Sequence, residues 1–379
     1  MISIFYKIYF LYLIFFNAEI IFTQQNNFKI SLKEDLVINS EYIGIVNDIQ
    51  IDSKGQIFIC DGINTCIHLF SPKGKILRKI GKKGEAPGEY RYIWGIQITK
   101  GDSLIVYDGV QYRITIYASG KFDNPIKTIK LPAIEDKPER PGVIGNTYSG
   151  STGLWVPINS NRIFFIIYNS PYSQNDEKQK HNSKLYKIDN RGKLIKKEPV
   201  IEIPDVERLK ISSGGSFMVT TMPFGRIPVI KFSYDGIIYY AETDDFKITG
   251  IDLNGKKKNE ISYKLDRNFI TDKLWQNELK KYSHLTLKDV KKSKMPLPEY
   301  LPIFEDFTID DKNNIWVAVN QKDYKSYKYY VFNNQGKLIS TVSVPNKTVI
   351  KIINKNFAYG IRTDDWGVQS IVRYKIEQK

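Results

Sequence analysis

The sequence predicts an all-β protein: a six-bladed β-propeller whose N-terminal strand completes the last blade and which carries one helical insertion after blade four. Three observations support this prediction. A hairpin-and-turn unit recurs along the chain, the second strands of the units are β-branched or aromatic, and the last unit lacks one strand. The chain has 379 residues, of which 42% are hydrophobic and 13% aromatic, so it has ample side chains for a large core.

The clearest repeat is a pair of alternating strands joined at Asp-Gly and followed by a glycine turn. It reads IFICDGINTCIHLFSPKG over residues 57–74 and LIVYDGVQYRITIYASG over residues 104–120. Asp-Gly and glycine turns supply the backbone conformations that tight hairpins need. Weaker copies of one strand and its turn recur over residues 185–192, 248–255 and 330–336.

Each unit can be interpreted as four strands, of which the innermost comes first. The six innermost strands are predicted to start near Asn47, Trp94, Leu154, Pro228, Glu305 and Thr348. The last unit ends after three strands, and the strand-like segment 28–38 can supply the fourth and cover the open sheet edge. We therefore expect the propeller to span residues 28–379.

One segment, about 268–300, has the pattern of a helical insertion after the fourth unit. Residues 286–289 have the form of a capping box, and Leu274, Leu279 and Tyr282 could form an apolar stripe. Two interpretations stay open. The insertion could be a lid over the central cavity or a strut packed on the ring.

Residues 1–23 have the layout of a secretory signal peptide, because Lys7 precedes an uncharged run over residues 8–16. The run is short for a membrane span. An N-terminal anchor is the alternative, since no pair of small residues marks a cleavage site. We expect an exported protein, periplasmic, at the cell surface or secreted, whose contact with the membrane is confined to this segment.

The chain carries a net charge of +15, from 56 basic and 41 acidic residues. A polyanion-binding propeller is one interpretation of this charge. The lysines are scattered through turns and strand faces, however, which favours a solvated surface. A nucleic-acid partner is not expected.

The stretch after the first unit carries a more specific signal, a Gly-x-x-Gly-x-x-Pro-Gly-x-aromatic sequence. With it the chain resembles the NHL-repeat family. The matching residues are Asp52, Gly55, Asp61, Asn64, Gly74, Gly81, Gly84, Pro87, Gly88 and Tyr90. The arginine of the family's repeat is Cys66 in the first unit and Arg113 in the second. Because later units are degenerate, the resemblance implies an exported bacterial six-bladed propeller of NHL-like type.

Long insertions fall only in second-to-third turns or blade connections, over residues 132–153, 169–182, 204–225 and 266–302. Such loops share one end of a propeller, here called the long-loop end, and long loops often carry function. We predict a monomeric, non-catalytic binding or scaffold protein that holds a protein or glycan partner there. The candidate ligand-binding residues are Asp61, Asp108, Arg113, Tyr90, Trp94 and Trp366.

A calcium-dependent hydrolase, lactonase or lyase is the enzymatic alternative, since carboxylate oxygens near the axis would suit calcium. The candidate ligands are Asp61, Asp108, Asp244 and Asp364, although turn-forming is the commoner role of such residues. No nucleophile elbow or phosphate-binding loop is present in the sequence, and the three histidines are not expected to form a zinc site. No cofactor is expected for a binding protein, and calcium is the possible cofactor of the enzymatic alternative.

Cys60 and Cys66 flank the turn 61–65. In a symmetric hairpin register they would face each other, which could allow a local disulfide in an oxidising compartment.

Overall fold

The computed structural model is a ring of six antiparallel sheets, so the predicted six-bladed β-propeller is confirmed. The structure describes residues 29–39, 41, 43–132, 163–169, 182–213, 216–280, 286–292, 296–322, 326–344, 348–364 and 366–378.

Blades one and two are complete and lie next to each other. Blade one contains β2 (Val46–Ile51), β3 (Ile57–Asp61), β4 (Cys66–Phe70) and β5 (Ile76–Ile80), after the N-terminal strand β1 (Ile30–Ile38). A short parallel pair follows, β6 (Lys82–Lys83) and β7 (Glu89–Tyr90). Blade two contains β8 (Ile93–Ile98), β9 (Leu104–Asp108), β10 (Arg113–Tyr117) and β11 (Lys127–Lys130).

Three strands of blade three are described, and its start near Leu154 lies outside the described residues. They are β12 (Phe164–Asn169), β13 (Asn182–Ile188) and β14 (Ile201–Pro204). A separate hairpin, β15 (Arg208–Ser213) and β16 (Ser216–Thr221), leads to blade four. Blade four contains β17 (Pro228–Phe232), β18 (Ile238–Glu242), β19 (Lys247–Ile251) and β20 (Lys257–Ser262).

Two short helices precede blade five, and the two chain ends meet in blade six. The helices are α1 (Asp272–Leu279) and α2 (Leu287–Lys292). Blade five contains β21 (Phe304–Ile309), β22 (Ile315–Asn320), β23 (Tyr327–Phe332) and β24 (Leu338–Val344). Blade six contains β25 (Thr348–Asn354), β26 (Phe357–Thr363) and β27 (Gln369–Gln378), with β1 as its outermost strand. The predicted closure by the N-terminal strand is confirmed.

The core lies between neighbouring blades. Phe58, Tyr90, Leu104 and Tyr117 fill the space between blades one and two, and each has at most 1% of its surface exposed. Burying a large apolar side chain contributes roughly 1.5–3 kcal/mol. The β-branched and aromatic runs that predicted the second strands therefore also hold the ring together.

The helical insertion packs against the β15–β16 hairpin. Its core contains Leu209 and Met222 from the hairpin side and Trp275, Leu279 and Val290 from the helices. Thr271 caps α1, because its side chain accepts a hydrogen bond from the N–H of Leu274. Thr286, where the predicted capping box begins, lies immediately before α2. Both insertions belong to blade connections, and they pack against each other at the long-loop end. The lid and the strut both stay predictions. Tyr282 lies outside the described residues.

The opposite end, which carries the short first-to-second strand turns, is joined by hydrogen bonds between blades. Four of them run from Tyr234 to Asn313, from Lys355 to Asp311, from Lys355 to Ser53 and from Ser53 to Asp102. They connect blades four, five, six, one and two in succession. Hydrogen bonds therefore link five of the six blades at this end of the ring.

Candidate functional site

The innermost strands bring four charged side chains from four blades into the ring interior. We call Asp48 of β2, Lys231 of β17, Asp306 of β21 and Lys351 of β25 the channel cluster. Lys231 Nζ lies 3.1 Å from Asp306 Oδ1, and Lys351 Nζ lies 3.2 Å from Asp306 Oδ2. Asp306 thus joins blades four, five and six by buried charge-assisted hydrogen bonds.

β-Bulges in the innermost strands help to place these groups. The register of β2 shifts between Val46 and Asp48, and that of β21 shifts between Phe304 and Asp306. Bulges redirect side chains and are frequent next to functional sites. Asp48 accepts hydrogen bonds from the N–H groups of Ile49, at 2.8 Å, and of Ile96 in blade two, at 3.1 Å.

The two carboxyl groups of the channel cluster have opposite pKa shifts. Desolvation raises the pKa of Asp48 to about 7, although two backbone N–H groups and the charges of Lys351 and Lys231 favour the ionised form. Desolvation would also raise the pKa of Asp306, but the two lysines outweigh it and hold that pKa below its ordinary value. Desolvation lowers the pKa of Lys231.

The channel cluster does not suit a calcium ion. Both oxygens of Asp306 already accept from lysine ammonium groups, and the two positive charges repel a further cation. Sequence reasoning missed these four residues. Their signal was the presence of charged residues inside the innermost-strand segments, such as Lys231 in PVIKF and Asp306 in FEDFTI.

The carboxylates predicted to be axial are instead separated over blades one, two, four and six. Asp61 and Asp108 are fully buried at the ends of second strands, where they cap their own turns. Asp108 accepts hydrogen bonds from the N–H groups of Arg91, Val110 and Gln111. Neither carboxylate reaches the exposed surface, so their role as ligand-binding residues of the long-loop end stays a prediction.

The other two predicted metal ligands, Asp244 and Asp364, lie in the second-to-third turns of blades four and six. Asp364 is exposed and accepts from the N–H groups of Trp366 and Val368. Within the described part of the chain, the one cluster with donor atoms close enough for a metal includes neither of them nor Asp108. The structure does not bring the predicted four together.

Tyr90 and Arg113 make their polar contacts with other residues of blades one and two and of the loop between them. Tyr90 is fully buried, and its hydroxyl lies 2.7 Å from that of Tyr117, so the prediction that it lines a binding surface is wrong. The guanidinium of Arg113 donates to the carbonyl oxygens of Glu85, Ala86 and Glu89. It holds the loop between blades one and two, so these donors are already occupied.

Five exposed apolar side chains occur at the long-loop end of blades six, one and two. We call them the apolar sector: Ile45, Ile63, Val110, Trp366 and Val368. Trp366 is 91% exposed, and the other four are between 45% and 63% exposed. Trp94, a predicted binding residue, is half-buried beside Val110, because Gly109 packs directly against its ring.

Short hydrogen bonds tie the three blades together under the apolar sector. The N–H of Val46 donates to Gln369 Oε1 of blade six at 2.7 Å. Asn47 Nδ2 donates to the carbonyl oxygen of Ile93 in blade two, also at 2.7 Å. In blade one, the N–H of Gly62 donates to the carbonyl oxygen of Ile45. The backbone that carries the exposed side chains is therefore held in place by hydrogen bonds between the three blades.

A second polar cluster lies under the Ile63 turn. Asp61, Cys66 and His68 are all buried, and one donor atom from each lies within 4.8 Å of the other two. Burial alone would lower the pKa of His68, but its contacts with Asp61 and Cys66 raise it to about 9. Burial would raise the pKa of Asp61, but hydrogen bonds from His68, Asn64 and Gly44 hold it below its ordinary value.

The cysteines do not form the predicted facing pair. The β3–β4 register pairs Asp61 with Cys66 and Cys60 with Ile67, and both thiols are free and buried. The turn has four residues, not five, because Asp61 still belongs to the strand. The predicted disulfide is therefore wrong for this register.

The fold and these sites define a six-bladed β-propeller with buried charged side chains on its innermost strands and an apolar sector at one end. The chain belongs to the DUF5128 family, described as 6-bladed beta-propeller, which matches residues 39–248, more than half of its length. A search of curated protein sequences gives no match. In the described part of the chain, no helix is long and apolar enough to cross a membrane.

Two solved structures are similar over the whole ring. A member of the DUF4221 family from Bacteroides vulgatus has a TM-score of 0.57 and 12% identity, with 94% of this chain and 100% of that chain covered. A protein from Bacteroides fragilis that is predicted to be exported has a TM-score of 0.52 and 13% identity, with 94% and 96% covered. At such identity the likeness shows the fold alone.

Proposed function

We propose that the protein is an exported, non-catalytic binding propeller that holds a protein partner on the apolar sector. The observation that carries this proposal is the exposure of five apolar side chains on three adjacent blades of one end. Clustered exposed apolar residues mark interaction sites, whereas single ones need no explanation. Trp366 would act as the anchor, since tryptophan is enriched among the residues that dominate binding energy.

Rigidity favours binding by this surface. Asp61 and Asp108 cap the turns that carry Ile63 and Val110, and Asp364 caps the turn of Trp366. A surface that is already ordered loses less conformational entropy when a partner binds. The partner therefore meets preformed turns on all three blades.

The chemistry of the apolar sector favours a protein over a glycan. Four of its five members are aliphatic, and sugar rings stack on aromatic side chains, of which the sector contains one. A patch of isoleucine, valine and tryptophan instead complements an apolar protein surface.

Export is the second part of the proposal. It is supported by the signal-like segment 1–23, by the NHL-like motif over residues 81–90, and by the similarity to a Bacteroides fragilis protein that is predicted to be exported. The non-catalytic part is supported by the channel cluster, where the lysines of blades four and six neutralise Asp306.

Site-specific photocrosslinking in the producing cell tests the proposal. A benzophenone amino acid replaces Val110 or Val368 in the apolar sector, and Tyr234 serves as the control because it is 63% exposed at the opposite end. We expect one discrete protein adduct from both sector positions, none from Tyr234, and loss of the adduct when Ile63→Ser and Trp366→Ser are added.

Other outcomes contradict the proposal. The same adduct from Tyr234, or no adduct from either sector position, would exclude a partner bound by this surface. A diffuse adduct whose apparent mass falls after glycosidase treatment would show that the partner is a glycan and not a protein. Export has its own test, in which residues 1–29 are fused to a reporter that is active only in the periplasm. Retention of this reporter in the cytoplasm would contradict export.

A further inference from the structure

Three different donor atoms meet where β3 and β4 leave the Ile63 turn. We propose that Asp61, Cys66 and His68 form a binding site for a zinc-like divalent transition metal. Cys66 Sγ lies 3.4 Å from His68 Nε2, and His68 Nε2 lies 3.2 Å from Asp61 Oδ2. Sulfur, imidazole nitrogen and carboxylate oxygen are the three donor types that zinc takes in proteins.

Two of the three distances between donors match a tetrahedral site. With metal–sulfur bonds of about 2.3 Å and metal–nitrogen or metal–oxygen bonds of about 2.0–2.2 Å, neighbouring ligand atoms lie roughly 3.3–3.6 Å apart. The two separations that involve His68, 3.4 Å and 3.2 Å, are within about 0.2 Å of that range, and all three donor atoms lie within 4.8 Å of one another.

One nitrogen of the His68 ring contacts both of the other donors. The same nitrogen, Nε2, faces both the Cys66 thiol and the Asp61 carboxylate. A single N–H cannot point at both partners with good geometry. If Nε2 instead accepts from the thiol, it cannot donate to Asp61. Asp61 Oδ2 also accepts hydrogen bonds from the N–H of Gly44 and from Asn64 Nδ2, so a metal ion bound by all three donors would replace its contact with His68 alone.

The arrangement is also not a catalytic relay. In a nucleophile–histidine–carboxylate triad, the nucleophile and the carboxylate contact opposite nitrogens of the ring. Here both contact Nε2, and Cys66 is fully buried. The geometry therefore favours ligation over nucleophilic attack.

Blade two provides an internal comparison. Its Asp108 pairs with Arg113 in the register in which Asp61 pairs with Cys66, and Thr115 is the equivalent of His68. Asp108 caps its turn with backbone donors, without a thiol or an imidazole. The capping role of Asp61 therefore does not require Cys66 and His68. Blade one has both of these residues at positions where blade two has Arg113 and Thr115.

The donor set selects the metal class. A thiolate and an imidazole favour zinc and similar transition metals, whereas calcium and magnesium prefer all-oxygen sites. Since Asp61 and Cys66 are directly opposite on β3 and β4, the ion would fasten the two strands below Ile63. The inference does not depend on the proposed partner.

Cobalt titration of the metal-free, untagged mature chain tests the proposal, because thiolate-bound cobalt gives a charge-transfer absorption band. We expect this band at one equivalent of Co²⁺, its loss in Cys66→Ser, and at least a tenfold weaker affinity in His68→Gln. Cys60→Ser is the matched control and should keep the band, since Cys60 is a buried cysteine whose register partner is Ile67.

Thermal melts provide a second measurement that does not depend on colour. Zn²⁺ should raise the midpoint of the unmodified chain and of Cys60→Ser, and Ca²⁺ should not, because only ligands of the folded state stabilise it. The absence of the band in the unmodified chain, its survival in Cys66→Ser, or an equal midpoint shift by Ca²⁺ would overturn the proposal. If Cys66→Ser does not fold, the weaker metal affinity expected for His68→Gln tests the proposal in its place.

Discussion

Lys231 of blade four and Asp306 of blade five form an ion pair inside the ring, with 3.1 Å between Lys231 Nζ and Asp306 Oδ1. The side chain of Asp306 is 4% exposed and also receives Lys351 from blade six, whose side chain is 8% exposed. One carboxylate therefore compensates two buried ammonium groups from the two neighbouring blades.

Asp306→Asn should strongly destabilise the ring, because it leaves two buried lysines without their counter-charge. Removing one partner of a buried ion pair costs about 3–5 kcal/mol. Denaturant unfolding should show this loss. Asp123→Asn is the control, since Asp123 is 74% exposed in its pair with Arg78 and such pairs contribute about 0–1 kcal/mol. Equal effects of the two substitutions would contradict a special role for Asp306.

The effect of Asp306→Asn should also depend on pH. The pKa of Asp306 is held below its ordinary value by the two lysines, so its stabilisation is fully present above the unfolded pKa of about 3.9. It is lost as the pH falls through the lower folded pKa. The difference in unfolding free energy between variant and unmodified chain should therefore shrink only in strong acid.

Asp48 should have the opposite dependence, because desolvation raises its pKa to about 7. Between pH of about 4 and 7 the folded state holds a proton that the unfolded state has released, so this group makes stability fall as the pH rises. Asp48→Asn removes that dependence and keeps an acceptor for the N–H groups of Ile49 and Ile96.

Unfolding free energies at pH 5 and pH 8 measure the Asp48 contribution. From pH 5 to pH 8 the variant should gain stability relative to the unmodified chain by at most about 3 kcal/mol, because roughly two pH units at about 1.36 kcal/mol each separate pH 5 from the folded pKa of about 7. A difference that is the same at both pH values would show that Asp48 ionises normally.

The fold was predictable because its signals are local. Asp-Gly hairpins, glycine turns and β-branched runs each lie within about a dozen residues, and the missing strand of blade six could be inferred from the spare segment 28–38. The channel cluster was not predictable in this way. Asp48 and Lys351 are 303 positions apart, since each blade contributes one side chain, and no spacing motif relates them.

Errors at single positions had equally specific causes. Cys60 and Cys66 fail to face each other because the strand extends by one residue to Asp61, and a one-residue change alters every pairing in a hairpin. Tyr90 and Arg113 belong to a motif whose residues hold the loop between blades, so the Tyr90 hydroxyl contacts Tyr117 and the Arg113 guanidinium donates to carbonyl oxygens of that loop. Only Trp366 of the predicted binding residues is fully exposed.

Gly109 should be intolerant of a side chain because it packs on Trp94. A Cβ atom at Gly109 would lie 1.7 Å from Cδ1 and Nε1 of the Trp94 ring, so Gly109→Ala must displace the indole. Overpacking of this kind costs about 1–3 kcal/mol. Gly101→Ala is the control, since no heavy atom lies within 4 Å of its added Cβ. Near-ultraviolet circular dichroism should change for Gly109→Ala alone, and an unchanged spectrum would contradict the close contact.

Closure of the ring by β1 gives the last prediction. Residues 30–38 pair with β27 along its length, and they bury Ile30 and Ile38 against blades five, six and one. A chain that begins at residue 39 should therefore lose stability and expose the edge of β27, which invites pairing between molecules. Size-exclusion chromatography should show dimers or aggregates, and the melting midpoint should fall by several degrees. A chain that begins at residue 29 keeps β1 and is the matched control. If both truncated chains stay monomeric and have the same melting midpoint, the pairing of β1 with β27 does not hold the ring closed.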